Sequence, residues 1–436
     1  MKTLQIAGIP AAELAAQYGT PLIVYDAEQI RRQFAAYTEN FVSDRFATEI
    51  VYASKAFTCP AMIDEVKAAG ASLEVVSGGE MMIAHAAGMP MERVYFHGNN
   101  KTAAELRACM ETGCGCIVLD NREELDAVIA AAEAAGRTID ALLRINPLVE
   151  AHTHEFIVTA AADSKFGISI EESDDIAALV ERAQSSGCVR LRGFHSHIGS
   201  QIFGSEAFTR AAEKIFAFLR ALRDQCGFEA HWLSLGGGFG IRYTGEDRPL
   251  ATPELCRRLI RCCEDADWPL EKLMIEPGRS IVGEAGTTLY TVGYQKMAGG
   301  RRYLFVDGGM GDNIRPALYD ARYDADIAGR LDAPRDTVCT VAGKYCESGD
   351  VLIRDIALQR AQSGDLLAMY STGAYGYSMA SCYNGIGRPA VVFAADGTSR
   401  LVLRRETWRD LLALSVVDGA PDAGGRGQSA GKEGQR

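Results

Sequence analysis

Short apolar segments alternate with longer amphipathic ones over the first two-thirds of the chain, and this rhythm restricts the possible folds more than any other feature. The amphipathic segments repeat at the helical period, and the apolar ones have the length of strands. About eight such βα units fit a closed (β/α)8 barrel better than an open parallel sheet. The predicted strands are 22–25, 50–53, 73–76, 94–97, 117–119, 141–145, 191–197, 232–235 and 273–276, and the predicted helices include 102–112, 123–135, 174–185, 208–225 and 253–265.

The alternation stops after Pro277, where strand-like segments follow one another without long helices between them, as is typical of an antiparallel sheet. We therefore predict an α/β chain with a TIM-like (β/α)8 barrel over residues 26–275. A C-terminal antiparallel β-barrel or sandwich domain over 276–416 also takes in the N-terminal strand within 1–25. Residues 417–436 are predicted to be a disordered tail. The predicted strands of the β domain are 287–294, 303–306, 337–341, 351–356, 365–369, 390–393 and 401–403.

Charge and composition exclude several classes of protein. The formal net charge of −12 argues against general nucleic-acid binding, which needs a basic face. No run of about 18 apolar residues could span a membrane, and no signal peptide is evident, so we expect a cytoplasmic protein without a membrane partner. The twelve cysteines form no CxxC pair and no cluster of zinc-finger spacing, and most are expected to be reduced and inert.

Polar and glycine-rich groups repeatedly follow the predicted strands, at the end where the active sites of barrels are built. One such turn is weak evidence, but seven around one rim predict a single site. The seven groups are Lys55, Ser77-Gly78-Gly79-Glu80, His97-Gly98-Asn99-Asn100, Arg144 with Asn146, His195 and His197 with Gly199-Ser200-Gln201, Gly236-Gly237-Gly238, and Glu276-Pro277-Gly278-Arg279.

Lys55 lies between alanines at the end of a strand that should be buried. A buried lysine is costly unless it is paired or used covalently, so Lys55 either forms a salt bridge at the barrel mouth or carries a Schiff base. The glycines at 236–238 allow a backbone to approach an anion closely. Together with Arg279 nearby, they indicate a phosphate site.

Three further residues allow more than one interpretation. His195 and His197 are two apart on a strand and face the same way, so they could bind a metal ion, or one could stack on a flat ring while the other is simply buried. No third ligand is evident, and we predict no metal. Glu276 could form an ion pair with Arg279 or a lysine, or it could keep a pyridine nitrogen protonated by charge pairing.

Together these motifs resemble the diaminopimelate decarboxylases, which are pyridoxal phosphate (PLP) enzymes of the alanine-racemase-like fold type III. The motifs occur in the order of that family, cover roughly residues 20–395, and are specific only in combination. They are Tyr52-Ala53-Ser54-Lys55-Ala56, His97-Gly98-Asn99-Asn100-Lys101, Ser164-Lys165-Phe166-Gly167, His195-Ser196-His197-Ile198-Gly199-Ser200-Gln201, Gly236-Gly237-Gly238-Phe239-Gly240, Glu276-Pro277-Gly278-Arg279, Arg315-Pro316-Ala317-Leu318-Tyr319, Cys346-Glu347-Ser348-Gly349-Asp350 and Gly373-Ala374-Tyr375.

The resemblance implies a role for each matched residue. Lys55 would carry the cofactor, His197 would stack on its ring, and Glu276 would pair with the ring nitrogen. Cys346 would donate a proton after carbon dioxide leaves, with Lys55 as the alternative donor. The family also implies a homodimer with shared active sites, in which Cys346 and Glu347 reach into the partner's barrel. The phosphate would be held by Ser200, Gly236, Gly237, Gly238, Glu276, Gly278, Arg279 and Tyr375, and the far end of the substrate by Arg279, Arg315, Tyr319, Glu347 and Tyr375.

The charges of these residues favour one substrate. A decarboxylase that forms a diamine has to bind only a distal cation, which needs acidic residues and no arginine. Arg279 and Arg315 would instead bind a carboxylate and Glu347 an ammonium group, which matches the distal head group of meso-2,6-diaminopimelate. The expected products are L-lysine and carbon dioxide, in the last step of lysine biosynthesis.

Several alternatives stay open. On the same fold, the chain could be a carboxynorspermidine decarboxylase, another polyamine-pathway decarboxylase, or a racemase, although a racemase would need a tyrosine base opposite the lysine. Outside catalysis, it could be a non-catalytic PLP-binding protein, or a barrel that binds a nucleotide through residues 236–238.

The sequence departs from the family in two loops. Thr159-Ala160-Ala161 replaces a usual Thr-Gly step, and residues 383–389 lack one arginine. Loss of a glycine removes backbone freedom, so we expect these departures to affect loop geometry and not chemistry.

Overall fold

The computed structural model describes residues 2–149 and 164–416. The predicted tail over 417–436 and the departure at Thr159-Ala160-Ala161 lie outside the described residues. No helix in the described part of the chain is long and apolar enough to cross a membrane.

The first elements of the chain are not part of the barrel. β1 (Gln5–Ile6) and β2 (Ile9–Pro10) pair antiparallel, and α1 (Ala11–Tyr18) leads to β3 (Leu22–Asp26). The first four residues of β3 are buried, and the strand joins the sheet built by the C-terminal part of the chain. This confirms that the β domain takes in the N-terminal strand.

Eight parallel strands form a closed barrel, as the alternation predicts. The ring closes because the last strand pairs with the first and β8 pairs across to β10. The barrel strands are β4 (Ala47–Ala53), β5 (Ser72–Val75), β6 (Val94–Phe96), β7 (Cys116–Leu119), β8 (Ile139–Asn146), β10 (Val189–His195), β11 (Trp232–Ser234) and β12 (Lys272–Ile275), with β9 (Ile168–Ser169) added beside β8.

The helices of the barrel pack outside the strands, and local signals fix their ends. The Thr102 hydroxyl and the Glu105 carboxylate form a capping box at the start of α5, and Gly113 ends the helix in the left-handed conformation that glycine favours. The helices are α2 (Ala27–Thr38), α3 (Pro60–Ala68), α4 (Gly78–Ala86), α5 (Ala103–Thr112), α6 (Arg122–Ala135), α7 (Ser173–Ser186), α8 (Glu206–Cys226) and α9 (Thr252–Asp265).

The remaining strands form a second sheet in the order β17-β16-β14-β13-β3-β19-β20, and β18 pairs with both β13 and β15. Its strands are β13 (Gly286–Ala298), β14 (Arg301–Val306), β15 (Ala325–Ile327), β16 (Thr337–Ala342), β17 (Val351–Leu358), β18 (Leu366–Met369), β19 (Ala390–Ala395) and β20 (Thr398–Leu403), accompanied by the short helices α10 (Arg279–Val282), α11 (Arg315–Tyr319) and α12 (Trp408–Leu412).

This sheet is mixed, whereas the sequence predicts an antiparallel one. β3 pairs parallel with β19, and β14 pairs parallel with β16. Neither pair is joined by a hairpin: β3 enters from the other end of the chain, and α11 and β15 separate β14 from β16. The fold class is confirmed, and the domain boundaries at residues 26 and 276 stay predictions.

The pairing of β10 generates a stability prediction. Gly193 pairs with Trp232, and a Cβ added to Gly193 would overlap the Trp232 carbonyl oxygen. Gly193→Ala should therefore lower the free energy of unfolding by about 1–3 kcal/mol, the usual effect of overpacking, in chemical denaturation of the holoenzyme. Gly329→Ala is the matched control, because nothing lies within 4 Å of its added Cβ. Equal stability of the two variants would contradict the close approach of β10 and β11.

Candidate active site

A cavity of about 660 Å³ opens at the carboxyl ends of the barrel strands, against the second sheet. Gly236 does not line it, and a Cβ added to Gly236 would overlap the Ser196 carbonyl oxygen. Cys346 and Glu347 do not line it. Eleven of the fourteen predicted site residues do: Lys55, His197, Ser200, Gly237, Gly238, Glu276, Gly278, Arg279, Arg315, Tyr319 and Tyr375.

Lys55 lies in a short 3-10 turn, Ser54–Ala56, that directly follows β4. Its ammonium group pairs with the carboxylate of Glu74 on the neighbouring strand β5. Burial lowers the pKa of Lys55, but Glu74, and then Tyr375, outweigh burial and hold the pKa above its ordinary value. The salt bridge considered from sequence therefore exists, and it lies inside the cavity, where the amine can also be used.

Glu74 is a candidate site residue that the sequence did not reveal, since it lines the cavity and pairs with Lys55. It is fully buried, and burial raises the pKa of its carboxyl to about 7 despite the opposing effect of Lys55. The available signal was a charged residue inside the apolar strand Leu73-Glu74-Val75. A buried charge that is neither paired nor functional is costly, which is the same argument that singled out Lys55.

Glu276 is buried just after β12, and residues from neighbouring strands satisfy its carboxylate. The Ser234 hydroxyl donates to Oε1 at 2.6 Å, and the Nε2 of His195 bonds Oε2 at 2.9 Å. Burial would raise the pKa of Glu276, but His195, His97 and these hydrogen bonds hold it well below the ordinary value. The group that faces the cavity is therefore an ionised carboxylate, and its partners are not the arginine or lysine considered from sequence.

His195 thus has a role beyond the simple burial expected of it. Its ring lies edge-on to that of His97, with 4.8 Å between centroids, and burial lowers the pKa of both imidazoles. His97, His195 and Glu276 place possible ligand atoms within 4.8 Å of one another, so the third ligand that the sequence did not reveal for His195 exists in space. The absence of a metal requirement stays a prediction.

The glycines at 236–238 are packed too closely for side chains. A Cβ on Gly237 would overlap the Glu276 carbonyl oxygen, and one on Gly238 would overlap that of Gly199. The N–H of Gly237 donates to Nδ1 of His197 at 3.1 Å. Burial lowers the pKa of His197 well below its usual range, so its imidazole is neutral, which suits stacking on a flat ring.

Two buried arginines line the cavity and have no carboxylate partner among the described residues. Arg279 donates to the Ser200 hydroxyl at 2.7 Å and to the Tyr243 hydroxyl, and Arg315 donates to the Tyr323 hydroxyl. None of the ion pairs within the described residues includes either arginine, and Nε of Arg279 lacks a hydrogen-bond partner among those residues. Because burial of an unpaired cation is costly, a bound anion would stabilise both arginines.

Cys346 and Glu347 lie on the exposed loop between β16 and β17. Within the described residues, their hydrogen bonds involve their own loop and the side chain of Asn384, which accepts the N–H of Cys346 at 2.8 Å. The structure therefore separates these two predicted residues from the cavity of their own chain.

Comparison with known proteins identifies the family. Residues 27–283 match the model described as pyridoxal-dependent decarboxylase, pyridoxal binding domain. Diaminopimelate decarboxylase of Bacillus subtilis is 49% identical over 418 residues, which is 95% of each chain. The chain belongs to the diaminopimelate decarboxylase family.

Solved structures agree with this assignment. Diaminopimelate decarboxylase from M. jannaschii, solved in complex with L-lysine, superposes with a TM-score of 0.89 at 33% identity, over 95% of this chain and 96% of that one. The Helicobacter pylori enzyme, also solved with L-lysine, gives a TM-score of 0.85 at 29% identity, over 92% and 98%. The fold, the family and its pyridoxal cofactor are those expected from the sequence.

The residues at the cavity fit pyridoxal phosphate. Lys55 supplies an amine, Glu276 an ionised carboxylate for a protonated ring nitrogen, and His197 a neutral ring for stacking. The glycine cradle and Arg279, whose Nε is unpaired among the described residues, suit a phosphate.

The pairing of Lys55 with Glu74 predicts how the amine titrates. Glu74→Gln removes the negative charge that stabilises the ammonium form, so the pKa of Lys55 should fall by about 1–3 units. More of the amine is then unprotonated at pH 8, and apoenzyme should take up PLP faster, as followed by the absorbance of bound PLP across pH. Glu65→Gln is the control, since Glu65 is a buried carboxylate paired with Arg31 outside the barrel. An unchanged pH profile in Glu74→Gln would contradict this role.

Proposed function

We propose that this chain catalyses the PLP-dependent decarboxylation of meso-2,6-diaminopimelate to L-lysine and carbon dioxide, the last step of lysine biosynthesis. The observation that carries the substrate assignment is the pair of buried arginines, Arg279 and Arg315, at the cavity that contains Lys55. A substrate with a distal carboxylate supplies the missing anion, whereas ornithine or free lysine does not. Membership in the diaminopimelate decarboxylase family supports the same substrate.

The residues around the cofactor site have distinct tasks. Bound PLP supplies the electron sink for the charge left when the α-carboxylate departs. Glu276 holds a proton on the ring nitrogen, and His195 and Ser234 keep Glu276 ionised and oriented for this. Glu74 forms an ion pair with the ammonium group of Lys55 whenever that lysine is not bound to the cofactor.

Binding at the far end orients the substrate. The guanidinium group of Arg315 lies 4.8 Å from the centre of the Tyr243 ring. This contact with the ring orients the guanidinium plane and leaves the remaining N–H groups of Arg315 available for a ligand. Arg279 is likewise stacked 4.8 Å from the centre of the Tyr375 ring. Two fixed guanidinium groups favour one orientation of the distal carboxylate, and thereby fix which end of the substrate reaches Lys55.

We further propose that the enzyme is a homodimer with shared active sites. A proton donor has to reach the reacting carbon, yet Cys346 and Glu347 are exposed and do not line the cavity of their own chain. Both residues therefore serve the cavity of a second copy, where Cys346 donates a proton and Glu347 binds the distal ammonium group.

We propose a cytoplasmic location for this enzyme. All twelve cysteines lie in the described part of the chain, and all are free. Free cysteines in this number are typical of a reducing compartment.

The alternatives are less consistent with these residues. A polyamine-pathway decarboxylase such as one for carboxynorspermidine is separated from this proposal by kinetics on candidate amino acids. A non-catalytic PLP carrier or a nucleotide-binding barrel gives no account of Arg315 or of the second sheet that carries it.

Substrate selectivity tests the function directly. The purified protein should release lysine and carbon dioxide from meso-diaminopimelate with kcat/KM at least about 100-fold above that for ornithine, since each charge-assisted hydrogen bond contributes about 1.5–3 kcal/mol. Arg315→Met should reduce kcat/KM for diaminopimelate about 10-fold or more and leave the absorbance of bound PLP unchanged. Equal rates on ornithine and diaminopimelate would reject the proposed substrate.

Hybrid dimers test the shared site. Lys55→Ala and Cys346→Ala should each be strongly impaired alone. When they are co-expressed, half of the dimers are hybrids with one intact site, so activity should recover to about a quarter of wild type. Lys55→Ala co-expressed with Glu276→Ala is the control, because both changes affect the barrel side of a site and should give no recovery. Failure of the first pair to recover would mean that Cys346 does not act across subunits.

A further inference from the structure

The Cys346 loop, defined as residues 343–350, lies between β16 and β17 and contains neither helix nor strand. Cys346, Glu347 and Ser348 are exposed, so packing of these side chains within the chain does not fix their position. A loop that delivers a proton donor still has to hold it to within a fraction of an ångström. The groups that fix this loop are therefore part of the functional site.

The first anchor is Asp350, which is buried at the end of the loop. Its Oδ1 accepts the N–H of Met310 at 2.7 Å, and its Oδ2 accepts the N–H of Tyr345 at 2.8 Å. One carboxylate thus joins the residue before Cys346 to a second loop, residues 308–311. The N–H of Lys344 also donates to the Gly308 carbonyl oxygen at 3.0 Å, which makes the junction continuous.

Two glycines make room for this carboxylate. A Cβ on Gly309 or on Gly343 would overlap the carboxylate oxygens of Asp350. The backbone at Gly309 and at Gly343 therefore fits closely around the carboxylate of Asp350. The loop 308–311 leads along the chain to α11, which carries Arg315, so the anchor also holds the segment that precedes the arginine lining the chain's own cavity.

The second anchor is Asn384, whose Oδ1 accepts the N–H of Cys346 itself at 2.8 Å. Asn384 has a φ of +54°, a left-handed conformation that asparagine tolerates better than most residues. Beside this bond, the rings of Tyr345 and Tyr383 stack with 6.1 Å between centroids and 4° between planes.

The segment that carries Asn384 is itself held in place. The carboxylate of Glu406 accepts the N–H and the Nε–H of Arg388, both at 2.9 Å, and the thiol of Cys382 lies 3.1 Å from the same carboxylate. The Glu406 carboxylate therefore holds the segment at two points, through the thiol of Cys382 before Asn384 and through Arg388 after it. These two contacts fix the position of Asn384 as a hydrogen-bond acceptor.

We propose that Asp350 and Asn384 are positioning residues, which together hold Cys346 and Glu347 in the conformation that presents them to the cavity of a second copy of the chain. Asp350 fixes the base of the loop, and Asn384 fixes the backbone at the thiol-bearing residue. This inference rests on the proposed function, since it assigns Cys346 and Glu347 to the neighbouring site.

Paired variants at Asn384 test the inference in the holoenzyme. Asn384→Gly keeps the left-handed backbone and removes the acceptor, whereas Asn384→Asp keeps an acceptor oxygen. Asn384→Gly should lower kcat about 2- to 10-fold, as loss of one hydrogen bond predicts, and Asn384→Asp should restore it. Asp350→Asn should lower kcat in the same direction, and Asp355→Asn, an exposed carboxylate on β17, should have no effect. The absorbance of bound PLP should stay unchanged in all four variants.

Alkylation of Cys346 by iodoacetamide supplies a measurement that does not depend on catalysis. Peptide mapping should show the rate at Cys346 change about 2- to 10-fold in Asn384→Gly and in Asp350→Asn, and not in Asn384→Asp or Asp355→Asn. If Asp350→Asn does not fold, Asn384→Gly still decides the question, because Asn384 is exposed. Wild-type kcat and a wild-type alkylation rate in Asn384→Gly would overturn the inference.

The proposed function fails in a different way. It fails if wild-type enzyme does not decarboxylate diaminopimelate, or if Cys346→Ala turns over at the wild-type rate. In either case the alkylation rates still show whether Asp350 and Asn384 fix the loop, so the two failures are distinguishable.

Discussion

A buried carboxylate ties together the carboxyl ends of four barrel strands. Glu276 follows β12, and its partners come from the end of β10, the end of β11 and the residue after β6. An isolated carboxylate could not stay ionised in this position, because transfer of its charge from water is too costly without hydrogen bonds. Its partners are therefore as necessary to the site as Glu276 itself. They also explain why His195, which does not line the cavity, is placed where it is.

The buried positive charges of the site are stabilised in a different way. Among the described residues, Arg279 and Arg315 contact tyrosine rings and form no ion pair with an acid, and the Tyr243 and Tyr323 rings pack edge-to-face. Aromatic faces reduce the energetic cost of burying a guanidinium group and leave its N–H groups free for a ligand. An acidic partner would have satisfied the arginines within the chain and removed their affinity for a carboxylate. Tyr243 lies in the loop between β11 and α9 of the barrel and Tyr323 in the loop between α11 and β15, so this cluster joins the two parts of the site.

The sequence predicted the parts of the site in which chemistry coincides with position. Lys55, Glu276 and the glycines at 236–238 end apolar strands of a βα pattern, and the pattern itself predicts that strand ends converge. Glu74 was missed because it lies inside a strand and not at its end, although its charge was visible.

Tyr243 and Tyr323 gave no local signal, since tyrosines are common in loops and their contact with the arginines depends on tertiary structure. The parallel pairing of β3 with β19 likewise depends on segments nearly the whole chain apart, which no local pattern records. The two-residue strands β1, β2 and β9 are too short for their periodicity to be recognised.

The division of residues between the two parts of the fold has a consequence for how turnover depends on assembly. The barrel holds the groups that fit the cofactor, whereas Arg315 on α11 and the Cys346 loop belong to the part of the chain that builds the second sheet. On the proposed arrangement, a single chain can bind PLP and the distal carboxylate of its substrate, but Cys346, the proposed proton donor, does not line its own cavity. Association of two chains then brings the proton donor to each cavity, in addition to any effect on stability. Asp350 joins the loop of Cys346 to the segment that leads to Arg315. In the proposed dimer, this one carboxylate therefore connects the donor loop of one site to the arginine segment of the other, and a disturbance at Asp350 would affect both sites although Asp350 lines neither cavity.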